Sequence, residues 1–269
     1  MSEEASRHFP PDRANEMFYK ILPLHEERDI NWDEIVSKIP HMPRGWFELS
    51  QLSAEDRVEF TRAFWFSKLP FDGLAGRLQE RLEAFFEEVE NVEVYATQTE
   101  ANQPFDVHMI YTLKDSMGFF QGAPAAHREN IENLQKQFPT VTLPPDYIAF
   151  LEIHDGFSKY TDTGVIKSRD MPQIYRRFQQ ILKDEVLIRP DSQIIKPESL
   201  FPFYESFGLH CYQCFYADWY VENEMGNVYF SEHDRTISNF LDTARLEENL
   251  AFSTFIAWLL FYLEDIWHL

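Results

Sequence analysis

The stretch Cys211-Tyr212-Gln213-Cys214-Phe215-Tyr216-Ala217-Asp218-Trp219-Tyr220-Val221-Glu222-Asn223-Glu224-Met225-Gly226-Asn227-Val228-Tyr229-Phe230 decides the fold class. Aromatic and β-branched residues recur with period two in Cys211 to Tyr216 and again in Asn227 to Phe230, and Glu224-Met225-Gly226 between them reads as a turn. Alternation of this kind suits strands with one buried face, which pair antiparallel through short turns. The period-two pattern extends back to Ile194.

Working outward, Phe252, Phe255, Ile256, Leu259, Leu260 and Leu263 stand at i, i+3, i+4, i+7, i+8 and i+11. Such a stripe predicts a helix whose apolar face is covered by the sheet. Upstream, Leu143-Pro144-Pro145-Asp146 starts a helix: proline suits the first turn and Asp146 complements the dipole. Tyr147, Phe150 and Leu151 share one face of it, and Gly156 is placed to end it. Helices over about 127–138 and 171–183 and a strand over 164–168 complete this half. In the first half, the prolines at 10, 11, 23, 40 and 43 predict an irregular arm over residues 1 to about 50, with a short helix at Trp32 to Ile39. Ser53 with Asp56 forms a capping arrangement for a helix to Lys68. Leu74, Leu78, Leu82, Phe85, Phe86 and Val89 mark an amphipathic helix, and strands follow at Val92 to Ala96 and Asp106 to Leu113. The expectation is an α+β protein, a largely antiparallel sheet packed against helices. An N-terminal helical and β extension over residues 1–122 joins an α+β domain over 123–269 near Gly122 to Ala125.

The 269 residues carry 24 Lys plus Arg against 45 Asp plus Glu, a formal balance of −21. Residues 1–123 hold 12 basic and 23 acidic groups and the remainder 12 and 22, so the excess is spread over the chain. Nucleic acid and anionic membranes recruit cationic surfaces, and both are poor partners for this chain. With 44% hydrophobic residues, including 25 Phe, it has the apolar surface to fold. The apolar run from Ala251 to Leu263 is short of the ~20 residues that span a bilayer. Met1 to Arg13 lack the apolar core of a signal peptide, and only two cysteines occur, so a reducing, cytoplasmic setting is expected.

Leu143-Pro144-Pro145-Asp146-Tyr147-Ile148-Ala149-Phe150-Leu151 followed by His154-Asp155-Gly156 resembles the LPxDYxxFL helix of the SUKH superfamily, the group of Smi/Knr cell-wall-synthesis regulators and bacterial toxin-immunity proteins. Phe201-Pro202-Phe203 resembles that family's step into its central strands, and Gly208, Asp218, Gly226-Asn227-Val228-Tyr229 and His233-Asp234 its later positions. The resemblance covers about residues 126–265. His154-Asp155 departs from the usual Asn-Gly or Gly pair, and the first half has no counterpart in the family core. The resemblance implies a protein-binding module without cofactor or catalysis; in immunity members an acidic surface is thought to cover a basic nuclease toxin.

Two further patterns bear on chemistry. Cys211-x-x-Cys214 would place its sulfurs on opposite faces of a strand, and no second cysteine pair completes a zinc site. His154-Asp155 and His233-Asp234 are the basis of an alternative, a metal-dependent hydrolase, but their positions at element ends favour loop capping. No phosphate-binding glycine loop and no nucleophile elbow occur. Tyr216, Asp218, Trp219, Tyr220, Glu222 and Glu224, with Asp155, are the candidate binding residues, since aromatic anchors and acids together suit a basic protein surface. The expectation is a non-enzymatic binding module, an immunity protein or regulator, with no cofactor and no metal. A structural scaffold held by its aromatic surface is a further alternative.

Overall fold

A computed structural model describes residues 8, 18–27, 30–71, 75–116, 118–139, 141–159, 162–183, 186–188, 191–206, 210–221, 223–233 and 236–264. Among these are eight α-helices and eleven strands, all strand pairs antiparallel, so the chain is α+β. Contacts divide it into two compact units: residues 1–67 with 86–124, and residues 68–85 with 125–269.

The first unit holds a sheet in the order β1 (Lys20–Pro23), β2 (Val89–Gln98), β3 (Asp106–Leu113) and β4 (Phe119–Gly122). Val94 pairs with Met109, and Met109 with Gly122. Helices α1 (Trp32–Lys38), α2 (Arg44–Ser50) and, up to Ser67, α3 (Ala54–Lys68) belong to this unit. Asn31 caps α1 by accepting from Glu34 N at 2.9 Å, and Ser53 Oγ accepts from Asp56 N at 3.2 Å while donating to the Asp56 carboxylate. Leu24, Ile35, Ile39, Met42 and Phe47 pack with Val94, Ala96 and Val107 into one core. The arm expected to be irregular thus contributes a strand and a second helix. Gly122, expected at a junction turn, lies in β4.

Helix α4 (Ala75–Glu88) buries Leu82, Phe85 and Phe86 of the expected stripe, while Val89 begins β2 and Leu74 lies outside the described residues. Its residues up to Phe85 group with the second unit, where Arg81 bridges Glu247 at 2.6 Å and Glu264 at 2.5 Å. That unit's strands run β5 (Phe157–Lys159), β6 (Gly164–Val165), β7 (Leu200–Ser206), β8 (Cys211–Val221) and β9 (Glu224–Ser231). Both β10 (Thr236–Ile237) and β11 (Ala251–Phe252) pair with β9. Pro202 lies within β7, where the register against β8 shifts between Pro202 and Tyr204; a bulge accommodates the missing amide.

Helices α5 (Arg128–Gln137), α6 (Pro145–Leu151), α7 (Met171–Ile181) and α8 (Phe255–Glu264) accompany this sheet. The core between them is aromatic. Phe203 stacks on Phe215 at 4.2 Å, Tyr147 meets Phe215 edge-on and Phe255 meets Phe203 edge-on, each such pair worth about 0.5–1.5 kcal/mol beyond its buried area. Helix α6 begins at Pro145 as expected but ends at Leu151, ahead of Gly156, which lies in the loop to β5 with φ +107. The strand expected over 164–168 stops at Val165.

Candidate functional site

Strands β8 and β9 form a long hairpin whose two halves differ. From Cys211↔Ser231 to Phe215↔Asn227 the pairing is regular, and it resumes at Tyr220↔Met225 and Val221↔Glu224. Tyr216, Ala217, Asp218 and Trp219 therefore stand opposite Gly226 alone. The bulge redirects the strand, and Gly226 is required there for space: a Cβ would overlap the Trp219 indole. The turn lies beyond Val221, with Asn223 at φ +71, a conformation that asparagine tolerates. The turn expected at Glu224-Met225-Gly226 is instead the first part of β9.

These geometries sort the candidate residues. Tyr216 is 1% exposed and meets Phe240 edge-on at 5.3 Å, so it belongs to the core and is corrected as a surface contact. Asp155 is corrected too: it is buried, and its carboxylate accepts from Ser168 N at 2.5 Å and Ser168 Oγ at 2.9 Å. Burial pushes its carboxyl up, against the pull of the Ser168 bonds. Trp219 is half-buried over Gly226 and 5.1 Å from Phe240. Asp218 is exposed, Tyr220 is 51% exposed, and Glu224 is half-buried. Glu222, like Gly208 and Asp234, lies outside the described residues. What the structure brings together is an aromatic and acidic hairpin end: Asp218, Trp219, Tyr220 and Glu224.

A second apolar surface rims the same core. Leu187 and Ile195 are buried in the cluster that holds Tyr216 and Phe240, while Ile188 and Ile194 pair across an isolated bridge and turn outward. They are 57% and 72% exposed, and Val186 is 69% exposed. Sequence periodicity gave no sign of this surface because the paired segment is only a few residues long.

The residues weighed for chemistry are placed otherwise. His154 is 1% exposed and stacks on Phe157 at 5.4 Å, beside an Asp155 already engaged with Ser168, so this pair closes a loop. His233 is exposed after β9. Cys211 and Cys214 are buried thiols on β8, and burial pushes Cys214 well up, which disfavours the reactive thiolate. Among the described residues no group of three or more His, Cys, Asp or Glu side chains is placed to hold a metal ion, and no helix is long and apolar enough to cross a membrane.

Two arrangements escaped the sequence. Asp146 Oδ2 accepts from Ile256 N at 2.9 Å, so α6 caps α8 across 110 residues. In the first unit, Glu93 is enclosed by His8, His25 and Thr112. No local pattern signals either, because the partners are far apart in the chain.

Comparison with curated proteins and with solved structures gives no match. Comparison with protein families matches residues 125–260 to the SMI1 / KNR4 family (SUKH-1), a family that includes immunity proteins and regulators. The match spans just over half of the 269 residues and takes in α5 to α7, the first part of α8 and β5 to β11, the sheet and hairpin described above, and the chain belongs to the SMI1 / KNR4 family (SUKH-1).

Proposed function

We propose that the protein is a cytoplasmic, non-enzymatic binding module that covers a basic surface on another protein, as an immunity protein or as a regulator. The observation that carries this is the end of the β8–β9 hairpin, where Asp218 and Tyr220 are exposed beside Trp219 and Glu224 on a chain of net charge −21. Aromatic side chains give contact area at low entropic cost, and acids beside them select cationic partners and raise the rate of encounter. The outward Val186, Ile188 and Ile194 add apolar surface on the rim of the same core. Family membership supports the reading, since SUKH proteins bind protein partners.

The experiment is a pull-down from the native cytoplasm at low and high salt, with the unsubstituted chain and with Trp219→Ala/Tyr220→Ala. A basic partner should be retained at low ionic strength and weakened at about 1 M salt, where the Debye length is about 3 Å. The double variant should keep its fold and lose most of that partner. Unchanged binding by the folded variant removes the hairpin from the interface. Failure to enrich any basic protein at low salt removes the charge-based reading altogether.

A further inference from the structure

The short ribbon beside the hairpin is apolar on both of its faces. Ile188 and Ile194 pair antiparallel, and Ile195 N donates to Leu187 O at 2.9 Å. Exposure alternates along both segments: Val186 and Ile188 are exposed on either side of a buried Leu187, and Ile194 is exposed beside a buried Ile195. A ribbon with one solvated face normally carries polar side chains there, whereas continuous apolar runs mark strands covered on both faces. Here the inner face belongs to the cluster of Tyr216, Phe230 and Phe240, and the outer face consists of three β-branched aliphatic side chains.

The ribbon is also held in place. Leu187 and Ile195 anchor it in that cluster, and Gln193 N donates to the Asp191 carboxylate at 3.2 Å, next to Ser192 at φ +67. A surface fixed in this way loses little freedom when it is covered, so its apolar area serves binding with little ordering cost. The same cluster carries the end of the β8–β9 hairpin: Trp219 packs on it and lies 5.1 Å from Phe240. Tyr220 follows Trp219 and Leu241 follows Phe240, and both are exposed. Five of the eight large apolar side chains exposed among the described residues, Val186, Ile188, Ile194, Tyr220 and Leu241, are thus chain neighbours of residues in or on one cluster.

We propose that the outer face of this ribbon is the apolar centre of a docking surface whose acidic flank is the hairpin end, and that its occupant is a basic protein surface bearing an aliphatic ridge among lysines and arginines. The proposal rests on the binding reading above and divides the roles within it. Charge complementarity selects this occupant. Asp191 on the ribbon, Asp218 and Glu224 on the hairpin and Asp242 after Leu241 outnumber Lys183 and Lys196 at the ribbon's ends, on a chain of net charge −21. A second copy would bring two such charges together. The acids set the rate of encounter and its salt dependence, and the ribbon, once desolvated by the partner, sets the rate of release.

Two synthetic peptides test this on the full chain. One has leucines at i, i+3, i+4 and i+7 of a helix and lysines elsewhere; the other has serine for each leucine at the same charge. In about 0.15 M salt the unsubstituted chain should bind the leucine peptide about tenfold more tightly. Ile188→Thr/Ile194→Thr keeps β-branched side chains at exposed positions and so keeps the fold. It should lose that preference through faster release, with association and serine-peptide binding unchanged. Phe60→Ser, at an exposed position of the first unit, should behave as the unsubstituted chain. Equal affinity of the unsubstituted chain for both peptides, or a ribbon variant that retains the preference, overturns the ribbon and leaves the charge-based reading standing. A Phe60→Ser chain that loses the preference as fully does the same, since the apolar contact is then unspecific. Binding of neither peptide in about 0.01 M salt overturns the charge-based reading and the ribbon with it. A dimer of the unsubstituted chain that the ribbon variant dissolves assigns the face to a second copy and overturns the proposal.

Discussion

Asp146 accepts from two backbone amides with two different oxygens, Tyr147 N on its own helix and Ile256 N at the start of α8, each at 2.9 Å. Burial pushes its carboxyl up to about 6; the Ile256 bond opposes this, and the nearby Glu224 charge adds to it. A folded-state value above the unfolded one means that the folded chain holds the proton more tightly. The resulting stability is fully present below about pH 4 and lost as pH rises through about 6, an effect of about 3 kcal/mol at most. The second unit should therefore gain stability from this group when the pH falls from 7 to 5. Asp146→Asn cannot titrate and presents an amine to one of the two amides, so it should cost about 1–3 kcal/mol at pH 7 and lose the gain on acidification. Urea midpoints at both pH values decide the matter; a native-like gain in the variant rules Asp146 out as its source. The sequence placed Asp146 at a helix start on dipole grounds, but its partner 110 residues on was illegible, because nothing near Ile256 announces a borrowed cap.

At the scale of elements, what was legible depended on whether the buried face was apolar. Helix α4 was readable because Leu82, Phe85 and Phe86 line one side. Helix α3 buries Arg57, Thr61 and Trp65 and leaves Phe60 and Phe64 at 62% and 44% exposure, so its apolar pattern runs against its packing, and only the Ser53 cap revealed it. Prolines misled in β1 and α2. Pro23 closes an edge strand, where its missing amide costs little, and Pro43 precedes α2 with a φ of −65 that suits a helix start. The hairpin is legible as two strands but its turn is not, because Gly226 reads as a turn glycine while it serves the approach of Trp219. That error also hid which aromatics face outward. The inverted face of α3 makes a prediction. Arg57 donates to Val92 O at 2.5 Å, Leu52 O at 2.8 Å and Asn91 Oδ1 at 2.8 Å, tying α3 to β2. Arg57→Met keeps the length and removes every donor, so it should destabilise the first unit by about 3 kcal/mol. A change within about 0.5 kcal/mol, the range of ordinary surface substitutions, would show that the helix is held by Thr61 and Trp65 without it.

For the whole molecule the controlling quantity is the charge of −21, spread over both halves of the sequence. Like charges at this density repel, which opposes compaction. Salt should act on stability and on binding with opposite signs. Raising ionic strength from about 0.01 M to about 0.15 M shortens the Debye length from about 30 to about 8 Å, which screens repulsion among the acids and should raise the thermal midpoint of the unbound chain. Exposed ion pairs such as Lys38–Glu34 and Arg44–Glu48 work the other way, but each contributes less than about 1 kcal/mol and they are few beside the unbalanced acids. The same change in salt should weaken a complex with a basic partner, because the attraction that steers encounter is screened as well. Thermal melts of the free chain across this range, beside partner binding in the same buffers, test the idea. A midpoint that falls with salt means that specific pairs outweigh the net charge, and the acidic surface is then internally compensated and unavailable to a partner.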